Sequence, residues 1–345
     1  MRSIITSIAK EGAWRVVGHE WVTTSLSNHI TTQRLNHAYI LSGPDSIGKL
    51  TLAVDFARAI MCSSDPFCGN CRSCDLISEH KHPDVCMVMP ALSGKHIQQN
   101  KISVDKIREL IYQFALKPIE ADRRVAIIQN LEVAGRQATD ALLKTLEEPP
   151  GNAVFIITTD NLSDLPETIV SRCIHFALKP LSSAMVKREL ISRWGTNDEE
   201  ASFLSRVSGG RLGWAVMLKQ DKEALIDRST KISGMVALLP KSKVDRFSYV
   251  EGIHKDRVQV VSTLAMWQSW WRDVMILASG ANNSAISNID YRNEIKKVAS
   301  QVDVAKAANT ISAIRNTLEA LRKNANAKLA LEVLMLQIPT VHLDS

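Results

Sequence analysis

Apolar and polar positions divide the chain into two regimes. In the first, short apolar runs alternate with amphipathic stretches; in the second, amphipathic stretches follow one another without apolar runs between them. Residues 37–41, Val85–Val88, Arg124–Ile128 and Ala153–Thr159 are short, apolar and partly β-branched. Runs of that kind predict buried strands. The Ala-rich stretch 51–61 and similar segments between the runs predict helices. Alternating strands and helices over residues 1–180 predict an α/β nucleotide-binding fold. Lys179-Pro180-Leu181-Ser182 reads as a boundary, residues 181–221 as a small helical domain, and residues 222–345 as all helix. Within the last region Val304, Ala308, Ile311, Ile314, Leu318 and Leu321 recur at helical spacing and predict one buried face. Residues 280–287, rich in Gly, Ala, Asn and Ser, read as a break between helices.

Length and composition fit this division. A chain of 345 residues with 45% apolar content has room for two or three domains with cores. Aromatic content is only 5%. Trp267, Trp270 and Trp271 share one helix face at i, i+3 and i+4. Such a stripe reads as core, with a subunit interface as the alternative. The net charge of +6 is spread along the chain, which allows contact with DNA phosphates without demanding it. The opening residues MRSIITSIAKEG are too polar for a secretory signal, and no apolar run is long enough for a membrane span. A cytoplasmic, reducing location is the expectation.

The chemistry begins after the first strand. Gly43-Pro44-Asp45-Ser46-Ile47-Gly48-Lys49-Leu50-Thr51 has the spacing and setting of a phosphate-binding loop between a strand and a helix N-terminus. Gly43, Gly48 and Lys49 are in place. The following position, where a hydroxyl would ligate magnesium, is Leu50; Thr51 comes one residue late, roughly 100° further round the helix. Residues after the strand Arg124–Ile128 would supply a metal-binding Asp and a water-activating Glu, but Gln129 and Asn130 stand there. Neither amide holds a divalent cation or accepts a proton from water. Glu132, two residues on, reads as a cap or a solvent-facing carboxylate. ATP binding is therefore expected to be weak or absent, with Thr51 and Glu132 as the residues that would have to compensate in a working ATPase.

Six cysteines are present, and Cys62, Cys68, Cys71 and Cys74 follow a C-x5-C-x2-C-x2-C pattern. Four thiolates this close suit one tetrahedral zinc, and four protein ligands leave no open position, which makes the role structural. Disulfides are the alternative in an oxidising compartment. Cys86 reads as core and Cys173 as packed at its strand, while His80 and His82 are not needed as ligands.

A last segment, Leu165-Pro166-Glu167-Thr168-Ile169-Val170-Ser171-Arg172-Cys173, follows the strand Ala153–Thr159. On its own, Arg172 is either a guanidinium forked toward phosphate or a surface arginine in an ion pair. Together with HAYI at 37–40, ATDALLKTLEEPP at 138–150 and NANAKLALEVLMLQIP at 324–339, it carries a resemblance. The chain resembles the bacterial DNA polymerase III clamp-loader subunits of the AAA+ class over nearly its whole length. The resemblance implies a RecA-like α/β P-loop domain over 1–180 with a zinc-module insertion at 62–74, a helical lid over 181–221 and an all-α collar for oligomerisation over 222–345. It implies that Ser171, Arg172 and Cys173 place an arginine finger in a neighbour's ATP site. Arg211, in Ser208-Gly209-Gly210-Arg211-Leu212-Gly213, matches the family's second sensor; a surface arginine at a helix start is the alternative. Two departures stand out. Ser46 occupies a position where the family has glycine, and the family's first cysteine gap is longer, which bears on Cys62. The implied partners are gamma/tau and delta subunits in a heteropentamer, a sliding clamp and primed DNA, in a DNA polymerase holoenzyme. The implied role is a non-hydrolysing stator. An active gamma/tau-like ATPase motor and a free-standing zinc-dependent nucleic-acid binder are the other readings.

Overall fold

The computed structural model describes residues 14–64, 67–90, 102–281 and 286–342. The opening segment and the middle of the 280–287 break lie outside the described residues. The chain forms two compact units: one of residues up to 185 together with 211–213, the other of 186–210 and 214 onward.

The first unit is built on a sheet of β1 (Ala38–Ser42), β2 (Val85–Val88), β3 (Arg124–Ile128), β4 (Ala153–Thr159) and β5 (Ile174–Ala177). Their order is β2-β3-β4-β1-β5, and every neighbouring pair is parallel. The helices are α1 (Glu20–Thr31), α2 (Lys49–Met61), α3 (Arg72–Ser78), α4 (Val104–Ala115), α5 (Arg136–Glu147) and α6 (Glu167–Val170). Strand side chains alternate between two cores. Ile40, Ala126, Ile128, Phe155 and Ile157 pack with residues of α4, α5 and α6. Tyr39, Leu41, Val125, Ile127, Val154 and Ile156 pack with residues of α1, α2 and α3. Coverage of both faces is why β1, β3 and β4 are apolar almost throughout. β5 was not among the expected strands. It is four residues long, and its His175 bonds the Ser42 hydroxyl of β1 at 2.6 Å.

Asp84, just before β2, is buried and fixes the loop between α4 and β3. Its carboxylate accepts the backbone N–H groups of Ile119, Glu120 and Ala121 at 2.7, 2.9 and 3.0 Å. Burial disfavours its charge, but these three donors and nearby Arg124 outweigh burial and hold the carboxyl below its ordinary range. The sign follows: this contribution is complete above the unfolded carboxyl value of about 3.9 and is lost as pH falls through the lower folded value. Asp84→Asn is therefore expected to destabilise the unit by about 1–3 kcal/mol at neutral pH. The deficit should shrink below about pH 4. Urea unfolding from pH 3 to 7 checks both parts.

The second unit is helical: α7 (Ser183–Trp194, entering it at Val186), α8 (Asp198–Val207), α9 (Leu212–Gln220), α10 (Lys222–Leu238), α11 (Lys243–Ile253), α12 (Arg257–Ala278), α13 (Arg292–Ala299), α14 (Val304–Arg322) and α15 (Ala327–Gln337). Trp267, Trp270 and Trp271 are fully buried in its core, so they are not available for a subunit interface. Of the expected face of α14, Ile314 and Leu321 are buried and Ile311 and Leu318 pack against the core, but Val304 is exposed, and Ala307, Thr310, Ala313 and Thr317 complete the buried stripe. The reason is close packing of α14 against α12, which small side chains permit. The two threonine hydroxyls are satisfied inside the helix by the carbonyls of Lys306 and Ala313. Arg246 is buried among carbonyls: Leu238, Leu239, Met335, Ile338 and Pro339 all accept from it. The C-terminal ends of α10 and α15 converge on this one guanidinium, which satisfies carbonyls left open where helices stop. Among the described residues no helix is long and apolar enough to cross a membrane.

Candidate functional site

The strand order sets the tips of β1, β4 and β3 side by side, and the loop 43–48 rises from the first of them. Gly43 has φ +148°, and a Cβ there would lie 2.5 Å from the Leu178 carbonyl oxygen. Gly48, φ +107°, starts α2. Ser46 also has positive φ, 61°, which is strained for a residue with a side chain. Its carbonyl accepts the Gly213 N–H at 2.9 Å. A Cβ on residue 213 would come within 2.7 Å of that oxygen, so glycine is needed there.

Lys49 is buried, and its ammonium donates to Gly43 O at 2.6 Å, Pro44 O at 2.9 Å and Asp160 Oδ1 at 2.8 Å. An ammonium has three hydrogens, so all of them are engaged within the chain. Leu50 packs on the core beneath α2, and Thr51 is half-buried in the first turn. At the tip of β3, Asn130 has φ 52°, and its N–H donates to the Thr158 hydroxyl at 3.0 Å. Glu132 is neither a helix cap nor a solvent-facing residue. It turns inward, one carboxylate oxygen accepting the Asp160 N–H at 2.9 Å while the other is buried. Burial pushes its carboxyl up, with the Asp160 charge adding to the shift and the hydrogen bonds opposing it. Contacts of Lys49, Asp160, Glu132, Asn130 and Thr158 thus link the tips of the three strands. Arg211 lies in the same unit as the loop; burial lowers its pKa and the charge of Asp45 opposes the shift.

Arg172 follows α6 in a tight turn. Its Nη1 donates to Thr168 O at 2.8 Å and to Ser171 Oγ at 3.3 Å, and its Nη2 pairs with Glu147 Oε1 at 2.8 Å. The guanidinium side chain is 34% exposed, at the surface and yet held. Cys173 is half-buried against the α4–α5 core, where burial pushes its thiol up to about 12.

The sulfurs of Cys62, Cys68, Cys71 and Cys74 all lie within 4.8 Å of one another, and Cys62 stands 3.6 Å from Cys68 and 3.9 Å from Cys71. Tetrahedral zinc with bonds of about 2.3 Å needs sulfurs roughly 3.8 Å apart, so the set fits a metal and Cys62 is brought into it. His80 and His82 lie outside the cluster; His82 accepts the Asp84 N–H instead. Arg58 of α2 joins the cysteine turn to the sheet unit. It bonds the Gly69 carbonyl at 2.6 Å, lies over the Phe67 ring and pairs with buried Asp55.

Sequence reading did not find Asp160, Thr158 or Glu147. Asp160 had a usable signal: a carboxylate directly after a central parallel strand, where ligand sites of such sheets form.

A sequence model described as "DNA polymerase III, delta subunit" matches residues 18–182. A second, "DNA polymerase III, delta subunit, C terminal", matches residues 222–340. The delta' subunit of DNA polymerase III from Bacillus subtilis is 28% identical over 322 residues, covering 90% of this chain and 94% of the relative. The delta' subunit from Pseudomonas aeruginosa is 34% identical over 180 residues, 50% of this chain and 53% of its own length. The tau/gamma subunit of Haemophilus influenzae is 30% identical over 236 residues, 65% of this chain and 33% of the relative. Among the gamma and tau relatives, the matched region is from 33% to 62% of the relative's length.

Proposed function

The chain belongs to the DNA polymerase III delta-subunit family, and on that premise we propose that it is the delta-prime-like, non-hydrolysing member of a bacterial clamp loader. The observation that carries the reading is the closed P-loop. All three Lys49 hydrogens are engaged inside the chain, and Leu50, Gln129 and Asn130 offer no oxygen anion to a magnesium ion. Phosphates would have to displace Asp160 and two carbonyls from Lys49, without help from a metal. The alternative, an active gamma- or tau-like motor, would need Thr51 and Glu132 to compensate. Glu132 is instead committed to the Asp160 backbone.

The fold supporting this reading is an AAA+ P-loop domain over residues 1–180, followed by a lid over 181–221 and a collar over 222–345. Arg172, with Ser171 and Cys173 on either side, serves as a finger for an adjacent subunit's ATP site, where a forked cation steadies charge on transferred phosphate. Gly43, Gly48, Lys49, Thr51 and Arg211 form the remnant nucleotide site. The cysteine cluster holds a structural zinc in a module at 62–74. On α15, Leu329, Val333 and Leu336 are exposed at i, i+4 and i+7, an apolar stripe suited to packing collar helices against a neighbour. Partners are gamma/tau and delta subunits in a heteropentamer that places a sliding clamp on primed DNA during replication in the cytoplasm. Phosphate release from magnesium-ATP, measured on the purified chain and on its assembly, separates the stator from the motor.

A further inference from the structure

We infer that Glu147 is the positioning residue of the Arg172 finger: it aims the guanidinium across the unit surface and gives way when a neighbour's nucleotide arrives. The inference rests on the finger reading above and adds to it the group that holds the finger ready. Thr168 O and Ser171 Oγ, two of the three acceptors on Arg172, belong to the finger's own turn and move with it. Glu147 is the third, at 2.8 Å, and it is the last residue of α5, a separate element packed on the sheet. It therefore fixes the direction of the guanidinium relative to the body of the unit.

The pair is poised between holding and release. The two side chains are 34% and 45% exposed, so both reach the surface where another subunit could dock. An ion pair this open is worth about 1 kcal/mol or less, enough to narrow the rotamers of a long side chain but not to trap it. A triphosphate offers several anionic oxygens to the same fork and outcompetes a single carboxylate. The end of α5 adds to the hold, because the C-terminal end of a helix attracts a cation.

The test uses the reconstituted assembly of this chain with its ATP-hydrolysing partner subunits, the other ATP sites silenced by substitution of their P-loop lysines. Glu147→Gln should lower kcat about five-fold, a loss near 1 kcal/mol, with KM for ATP changed less than about two-fold. Glu147→Asp should restore part of the loss. In an Arg172→Ala background, Glu147→Gln should have no further effect, because the residue acts through the finger. Wild-type turnover in Glu147→Gln, or an equal fractional loss in both backgrounds, overturns the inference while leaving the finger in place. Unchanged turnover in Arg172→Ala alone removes the finger reading and this inference with it.

Discussion

On the proposed finger role, Arg172→Ala is expected to slow ATP hydrolysis at the neighbouring subunit's site by about 10³-fold or more, the range a finger supplied in trans provides. Total turnover of an assembly with several sites falls at least by that site's share, and further if the sites fire in sequence. Assembly itself should survive. Among the described residues the Arg172 guanidinium makes polar contacts with Thr168, Ser171 and Glu147, and its side chain is one-third exposed, so little of the fold depends on it. Arg172→Lys should recover little of the lost rate, since an ammonium cannot fork across two phosphate oxygens. Single-turnover hydrolysis with the remaining sites silenced, beside size-exclusion chromatography of the variant assembly, gives the rate and the integrity together. A dispersed complex would mean that the arginine is structural.

The second large effect concerns the cysteine cluster. The purified chain should carry one zinc, and Cys74→Ser, which removes the buried ligand, should abolish stoichiometric binding. Structural zinc in small modules contributes on the order of 10 kcal/mol of apparent binding free energy, and much of it is folding free energy. Here the module is joined to α2 through Arg58, Asp55 and the Gly69 carbonyl, so its loss is transmitted to the sheet unit. A fall in melting temperature of more than about 10 °C is expected for the sheet-unit transition on chelation, on a scale where 1 kcal/mol shifts a unit of this size by roughly 2–4 °C. Atomic emission analysis and calorimetric melts with and without chelator provide the check. Metal-free protein with an unchanged melt would assign the four thiols another role.

The parts of the fold that the sequence displayed were those governed by local rules. β2, β3 and β4 could be bounded to the residue because they are apolar runs between turn residues; α2 was found from the phosphate-loop pattern before it, and starts two residues earlier than the Ala-rich stretch 51–61. β5 escaped because four residues with a histidine among them carry little hydropathy signal. On α14 the buried Ile314 and Leu321 were found but Ala307, Thr310, Ala313 and Thr317 were not: hydropathy ranks Ala and Thr low, whereas close packing against α12 selects them for size. At the site, the missing magnesium ligands were visible as residue types at fixed spacing. What replaced them was not. Lys49 and Asp160 meet only because β1 lies beside β4, and Arg172 meets Glu147 only because the turn after α6 returns to the end of α5. Such pairings depend on strand order and tertiary return, which spacing along the chain does not encode.

Lys49 ties the loop 43–48 to the tip of β4. Two carbonyls and a carboxylate surround the ammonium, and the Gly213 N–H closes on Ser46 from above. On the proposed stator reading, an incoming phosphate would have to compete with these contacts for Lys49.

Phosphate release by the homogeneous chain, in millimolar ATP and magnesium and with no partner subunit, tests this account most directly. The expected result is a rate at the level of the buffer blank, unaltered by Lys49→Ala. Sustained release that depends on magnesium and disappears with Lys49→Ala would contradict it and make the chain a motor in its own right.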